Sequence, residues 1–140
     1  MKQLRIFLAI VLAAASLQAQ AADDSLYADL GGSAGIRRVV ADLVPALQAD
    51  TRISATFDGV DLERLAAKLE EQFCEVAGGP CKYSGKDMAT IHEDLKVNRA
   101  QFNALVEDLQ EAMRRNDVPS RTQNRLLARL APMHREVVTK

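Results

Sequence analysis

The chain has 140 residues, of which 48% are apolar and 26% charged, and its formal net charge is −1. The length suits one compact domain, the apolar fraction excludes a disordered chain, and the near-neutral charge argues against a nucleic-acid-binding protein, which usually has a basic excess. Aromatic residues make up only 4% of the chain, so another group is expected to fill part of the interior.

The beginning of the chain has the features of a secretory signal peptide. Two basic residues precede an almost wholly apolar stretch over 6–15, and small residues follow it up to Ala21. This pattern predicts a signal peptide over 1–21 and one mature domain over 22–140. The stretch is shorter than the roughly 20 residues of a membrane-spanning helix, so no span is expected after cleavage. An uncleaved anchor is the alternative; the favoured interpretation is export, to the periplasm.

The first half of the mature chain has the apolar spacing of amphipathic helices. One helix is predicted over 36–47, where Pro45 should bend or end it. A second is predicted over 62–73 and should stop at Gly78-Gly79-Pro80. Between 82 and 87 the sequence predicts a turn, with Gly85 as its residue of positive φ.

Two cysteines lie close together in this exported chain. A disulfide between Cys74 and Cys81 suits an oxidising compartment and would stabilise the fold by about 2.5 kcal/mol through loop closure. Two separate buried thiols are the alternative. A structural zinc site would need two further ligands nearby, and the sequence has no Cys-x-x-Cys-His motif for covalent haem attachment.

The second half of the chain is also helical in pattern. Asn98 with Gln101 forms the capping box of a helix, and a break over 116–119 precedes a last helix that Pro132 should kink. No segment has the alternation of a strand. The predicted fold class is therefore all-α, as a single domain.

The sequence contains two histidines. His134 lies among charged neighbours and is most simply a surface residue. His92 shares a helical face with Met88 and Leu95, but a lone histidine on an apolar face is more often a core or boundary residue than a metal ligand. No paired carboxylates, nucleophile triad or phosphate loop accompanies it.

An ordered set of residues spans the mature chain: Tyr27-x-x-Leu30-Gly31-Gly32, Asp50, Phe57, Gly78-Gly79-Pro80-x-x-Tyr83-x-Gly85-x-x-Met88-x-x-x-His92, and Phe102. In order and spacing, this set resembles the group I truncated haemoglobins. The resemblance implies a two-over-two helical sandwich around a b-type haem. It also accounts for the shortage of aromatic residues, because the porphyrin supplies flat apolar mass.

The resemblance gives His92 the role of proximal iron ligand, the way in which globins hold haem. One protein ligand suffices because the porphyrin supplies four nitrogens. It also implies that further residues contact the haem: Phe57, Leu65, Lys68, Leu69, Phe73, Met88, Val97 and Phe102. Leu105, Leu127 and Leu130 are additional candidates for the walls.

The distal side departs from the family pattern. Many relatives have Phe-Tyr where this chain has Leu43-Val44, and glutamines where it has Leu65 and Leu69. No hydrogen-bond donor to a bound gas is therefore expected, which predicts fast oxygen release and easy oxidation of the iron. Lys68 is interpreted as an ion-pair partner of a haem propionate; ligation of the iron by its neutral amine is the alternative.

The resemblance implies reversible binding of a diatomic gas (oxygen, nitric oxide or carbon monoxide), for transport or sensing. The alternative is a haem enzyme that detoxifies nitric oxide or reduces nitrite or peroxide with an external reductase or other electron donor. A helical interaction module without haem is a third class, which His92 and the three phenylalanines of the mature chain do not favour. No catalytic residue is assigned.

Overall fold

A computed structural model describes residues 25–140, so the predicted signal peptide over 1–21 lies outside the described residues. The described chain is helical and contains no strand, which confirms the all-α prediction. In chain order the α-helices are α1 (Ser25–Asp29), α2 (Gly32–Ala49), α3 (Leu62–Val76), α4 (Met88–His92), α5 (Arg99–Arg115), α6 (Ser120–Leu130) and α7 (His134–Val137), with 3-10 turns at Ser54–Phe57 and Ala131–Met133. None of the helices in this range is long and apolar enough to cross a membrane.

The core lies around α2, which packs against both α3 and α5, while α6 contacts α1, α3 and α5. The apolar face that spacing predicts for α2 is buried throughout: Ile36, Val39, Val40, Leu43, Val44 and Leu47. Burial of such a stripe is the main source of stability for an amphipathic helix in water.

Pro45 does not end α2, which continues to Ala49. Proline removes one backbone hydrogen bond at this point, but Leu43 and Leu47 on either side of it are fully buried. Their packing holds the last turn in helical form in spite of the missing bond.

The end of α3 follows the predicted glycine signal. Gly78 has φ of 81°, and the amides of Gly78 and Gly79 donate to the carbonyls of Glu75 and Cys74 at 3.0 and 2.8 Å, the two bonds of a Schellman motif. The prediction for Gly85 was wrong, since this residue does not have positive φ. A Cβ there would meet the Tyr83 ring and hydroxyl, so glycine leaves room for this side chain.

The predicted capping box opens α5: Asn98 Oδ1 accepts from the Gln101 amide and Gln101 Oε1 accepts from the Asn98 amide, both at 2.9 Å. Pro132 does more than kink the last helix. It lies in a 3-10 turn that separates α6 from α7, because its ring cannot continue the α-helical bonding.

Gly35 lies inside α2, at a position where a larger side chain is predicted to destabilise the protein. Alanine usually stabilises a helix interior by about 0.5–1 kcal/mol relative to glycine, but a Cβ at Gly35 would collide with the Leu30 carbonyl oxygen. Overpacking of this kind costs about 1–3 kcal/mol, so Gly35→Ala should lower the free energy of unfolding in a denaturant titration. The exposed Ser33→Ala in the same helix is the control. Equal or higher stability of Gly35→Ala would contradict this packing.

Candidate cofactor-binding site

A largely apolar cavity of about 590 Å³ lies between α3, α4, α5 and the C-terminal segment. Its volume falls within the roughly 300–1,000 Å³ typical of small-molecule sites. The cavity brings together all nine residues predicted for the site: Phe57, Leu65, Lys68, Leu69, Phe73, Met88, His92, Val97 and Phe102. Leu105, Leu127 and Leu130 line it as well.

His92 is the last residue of α4, a helix of five residues. Its Nδ1 lies 2.7 Å from the carbonyl oxygen of Met88. Since a carbonyl only accepts, Nδ1 carries a proton, and in the neutral ring Nε2 then keeps its lone pair. Among the described residues, Nε2 has no hydrogen-bond partner. Metal-binding histidines are held in the same way, with one ring nitrogen donating to an acceptor and the other free to coordinate.

Across the cavity, α3 presents an apolar wall. Leu65 and Leu69 lie one turn apart on this helix and both line the cavity, as does Phe57 from the preceding 3-10 turn. Leu43 and Val44 are buried in the core and are not among the lining residues, whereas Leu47, one turn further along α2, is.

Lys68 lies at one edge of the cavity with its ammonium group already paired. Its Nζ donates to both carboxylate oxygens of Glu71 at 3.0 Å and to the Ser84 hydroxyl. Glu71 also accepts from the amide and hydroxyl of Ser84, at 2.9 and 2.8 Å. Glu71 therefore fastens the segment 80–87, which we call the strap, to α3. Tyr83 of the strap lines the cavity.

The contacts of Glu71 predict that acid weakens the attachment of the strap to α3. The Ser84 amide, followed by Lys68, lowers the pKa of Glu71 from 4.5 to about 2. A carboxyl whose pKa is lowered on folding stabilises the fold above its unfolded pKa, and that stabilisation is lost as the pH falls. The melting temperature of Glu71→Gln should therefore be lower than that of the wild type at pH 7, with the gap closing between pH 4.5 and 2. Glu70→Gln, at the neighbouring position, is the control; a gap that does not change with pH would contradict this role of Glu71.

The sequence reasoning missed four polar lining residues, namely Thr56, Gln72, Tyr83 and Asn103. Gln72 lies three residues after Leu69, so helical spacing alone could have placed it on the same face. The Tyr83 hydroxyl donates to the Lys86 carbonyl at 2.8 Å, and the Gln72 amide nitrogen lies 3.3 Å from the Met88 sulfur. Both donors therefore already have partners on the protein.

Cys74 lies in the last turn of α3, and Cys81 lies at the beginning of the strap. Their Cα atoms are 5.8 Å apart, a separation typical of disulfide-bonded pairs. Cys74 is buried and Cys81 half-buried. The pair lies on the connection between the helix that carries Leu65 and Leu69 and the helix that carries His92.

The mouth of the cavity is bordered by exposed apolar side chains. Val60, Ile91 and Leu95 are the large hydrophobic residues that remain exposed in the described part of the chain, and all three line the cavity. Exposed apolar groups gathered around a pocket indicate a ligand that covers them. Together with the free Nε2 of His92, the cavity is suited to a large, mostly apolar ligand that contains a metal ion.

Comparisons with known proteins give the same picture. A family model described as bacterial-like globin matches residues 25–139. The group 1 truncated hemoglobin GlbN of Mycolicibacterium paratuberculosis is 30% identical over 115 residues, which cover 82% of this chain and 85% of that protein. The group 1 truncated hemoglobin GlbN of Nostoc commune is 26% identical over 116 residues, covering 83% of this chain and 98% of that protein.

Solved structures share the fold. The truncated hemoglobin from Tetrahymena pyriformis in its Fe(III) form superposes with a TM-score of 0.79 at 22% identity, covering 82% of this chain and 98% of that one. The 2/2 hemoglobin from Synechococcus sp. PCC 7002, in the cyanomet state and with covalently attached heme, superposes with a TM-score of 0.77 at 21% identity and the same coverage.

The fold and the cavity thus define a haem protein of the globin class. The chain belongs to the bacterial-like globin family, and its relatives within that family are group 1 truncated haemoglobins. The size and apolar lining of the cavity and the free Nε2 of His92 fit the prosthetic group that this family implies.

Proposed function

We propose that this protein is an exported globin that holds haem b through His92 and reversibly binds a diatomic gas. The observation that carries the proposal is the bond from His92 Nδ1 to the Met88 carbonyl, which leaves Nε2 free at the wall of an apolar cavity. When bound, haem supplies an iron atom with an open coordination position for a gas molecule.

The residues that line the cavity have separate roles in this proposal. His92 would hold the iron, and Met88, Val97 and Phe102, which line the cavity near it, would contact the porphyrin. Leu65 and Leu69 line the cavity from α3, and their apolar side chains would exclude water from a bound gas. Exclusion of water and of bulky polar ligands favours small, weakly polar molecules such as oxygen, nitric oxide and carbon monoxide.

The experiment that tests the proposal is equilibrium titration of the reduced, haem-loaded protein with carbon monoxide and with oxygen. We expect saturable, reversible spectral changes with one gas molecule per haem, and oxygen release faster than in relatives with a distal tyrosine. A reduced protein that takes up neither gas would overturn the proposal.

Lys68 is proposed to act at the edge of the haem through its charge. Its amine would have to leave Glu71 and Ser84 before it could reach the iron, which favours pairing with a propionate over ligation. Lys68→Ala is therefore expected to keep the high-spin spectrum of the ferric wild type. A low-spin wild-type spectrum that Lys68→Ala converts to high spin would instead establish the lysine as a sixth ligand.

We further propose that Cys74 and Cys81 form a disulfide and that residues 1–21 direct export to the periplasm. The Cα separation of the cysteines supports the first proposal, and the pattern of the leading residues supports the second. The protein produced in a bacterium should begin at Ala22, and it should react with a thiol reagent only after reduction. An intact leader, or thiols that are alkylated without reductant, would contradict the respective proposal.

A further inference from the structure

Gln72 connects three segments at one side of the cavity. It projects from α3, and its amide nitrogen lies 3.3 Å from the sulfur of Met88, the first residue of α4, and 3.5 Å from the sulfur of Met133, in the C-terminal 3-10 turn. Thioether sulfurs are weak acceptors, so each contact alone adds little. Their convergence on one half-buried amide fixes the side chain between the three segments.

The helix that carries His92 depends on such outside contacts. With five residues, α4 has little stability of its own. Asp87 caps its first turn by accepting from the amide and hydroxyl of Thr90, at 2.9 and 2.7 Å, but these bonds are local and do not fix the helix against the rest of the protein. Packing on α7 does so, and the contact from Gln72 to Met88 adds to it from the side of α3.

Met88 takes part in both contacts that matter for His92. Its sulfur accepts from Gln72, and its carbonyl oxygen accepts from His92 Nδ1 at 2.7 Å. Because this second bond lies within α4, a displacement of Met88 would carry the carbonyl and the imidazole ring together and would change the position of Nε2 relative to the cavity. Gln72 belongs to the same helix as Leu65 and Leu69. Its contact with Met88 therefore also connects α3, on the side proposed to face the gas, with α4, which carries His92.

We propose that Gln72 is a positioning residue for His92, which it controls through Met88. It holds α4 at a set distance from α3 and so keeps the His92 ring, which the Met88 carbonyl orients, in place at the cavity. This inference rests on the proposed function, in which Nε2 coordinates the haem iron. Removal of a direct outer partner of a metal-bound histidine typically costs 10- to 100-fold in affinity, so a residue one contact further away is expected to change haem dissociation by about three- to tenfold.

The first test uses the haem-free full chain, so it does not depend on haem binding. Nitrogen-15 NMR of the His92 ring should give the Nδ1–H tautomer in the wild type and shifted ring signals in Gln72→Leu, because the surroundings of the ring change, while the unfolding midpoint changes little. Gln110→Leu, at an exposed position of α5, is the control and should keep the wild-type ring signals. Ring signals in Gln72→Leu identical to those of the control would overturn the proposal.

The second test uses the haem-loaded protein. Gln72→Leu and Met88→Leu should each shift the iron–histidine stretching band of the reduced protein and speed haem loss by about three- to tenfold, and the double variant should add little to either, because both changes break one contact. Met133→Leu, which removes the contact that does not reach α4, should have a smaller effect. Additive effects, or an unshifted band in Gln72→Leu, would overturn the role of Gln72. A wild type that takes up no haem would instead refute the proposed function.

Discussion

Replacing His92 with glycine is expected to abolish stable haem binding without unfolding the protein. The ring supplies the free Nε2 at the cavity wall, and loss of the ligand itself should weaken binding by more than the roughly 100-fold upper range for outer partners. His92 is only partly buried at the end of a short helix, so the helical signal in circular dichroism should persist. The measurement is retention of haem on gel filtration after loading.

Two controls make this prediction specific. His134→Gly removes the other histidine of the sequence, which packs edge-on against Phe102 with ring centroids 5.0 Å apart, and it should still retain haem. Added imidazole should restore the haem spectrum of His92→Gly, because a free ring can occupy the vacated space. Tight haem binding by His92→Gly without imidazole would mean that another residue holds the iron.

Placing a hydrogen-bond donor on the α3 wall should slow oxygen release. Leu69 lines the cavity, and in Leu69→Gln an amide would reach toward the bound gas. Bound oxygen carries partial negative charge, and a hydrogen bond to a charged acceptor contributes about 1.5–3 kcal/mol. The oxygen dissociation rate in stopped flow should fall by about one to two orders of magnitude.

Carbon monoxide provides an internal control for this substitution. It carries less charge than oxygen when bound, so its dissociation rate should change far less in the same variant. Leu69→Met, which keeps the volume but adds no strong donor, separates the effect of shape from that of the hydrogen bond. Equal slowing of both gases would show an effect of shape and not of a hydrogen bond. No slowing of oxygen would show that the wild-type protein already donates a hydrogen bond or that the side chain does not reach the gas.

Local signals in the sequence were sufficient for most of the fold. Apolar spacing predicts α2, α3, α5 and α6, because each buries one stripe against the core. The glycines after α3 and the pair Asn98 and Gln101 mark helix ends through hydrogen bonds between residues close in sequence. Tertiary packing decided the two exceptions. Buried leucines keep α2 helical past Pro45, and Gly85 leaves room for the Tyr83 ring without adopting a positive φ.

The residues of the candidate site were predicted through resemblance, and the structure gathers all nine around one cavity. Spacing alone would not have distinguished His92 from an ordinary boundary histidine. The contacts of Gln72 with Met88 and Met133, and those of Glu71 with Ser84, join residues that are far apart in sequence or lie on separate elements. Local sequence patterns carry no information about such contacts, because they form only when the strap and the C-terminal 3-10 turn pack against α3 in the folded chain.

Titration of the haem-free wild-type protein with haemin, followed by reduction, tests the central claim most directly. We expect saturation at one haem per chain, with a reduced spectrum typical of five-coordinate, histidine-bound iron, in keeping with the free Nε2 of His92 at the cavity wall. A protein that remains colourless with His92 intact, or that binds haem only weakly and without a defined stoichiometry, would contradict the assignment of this cavity as a haem site.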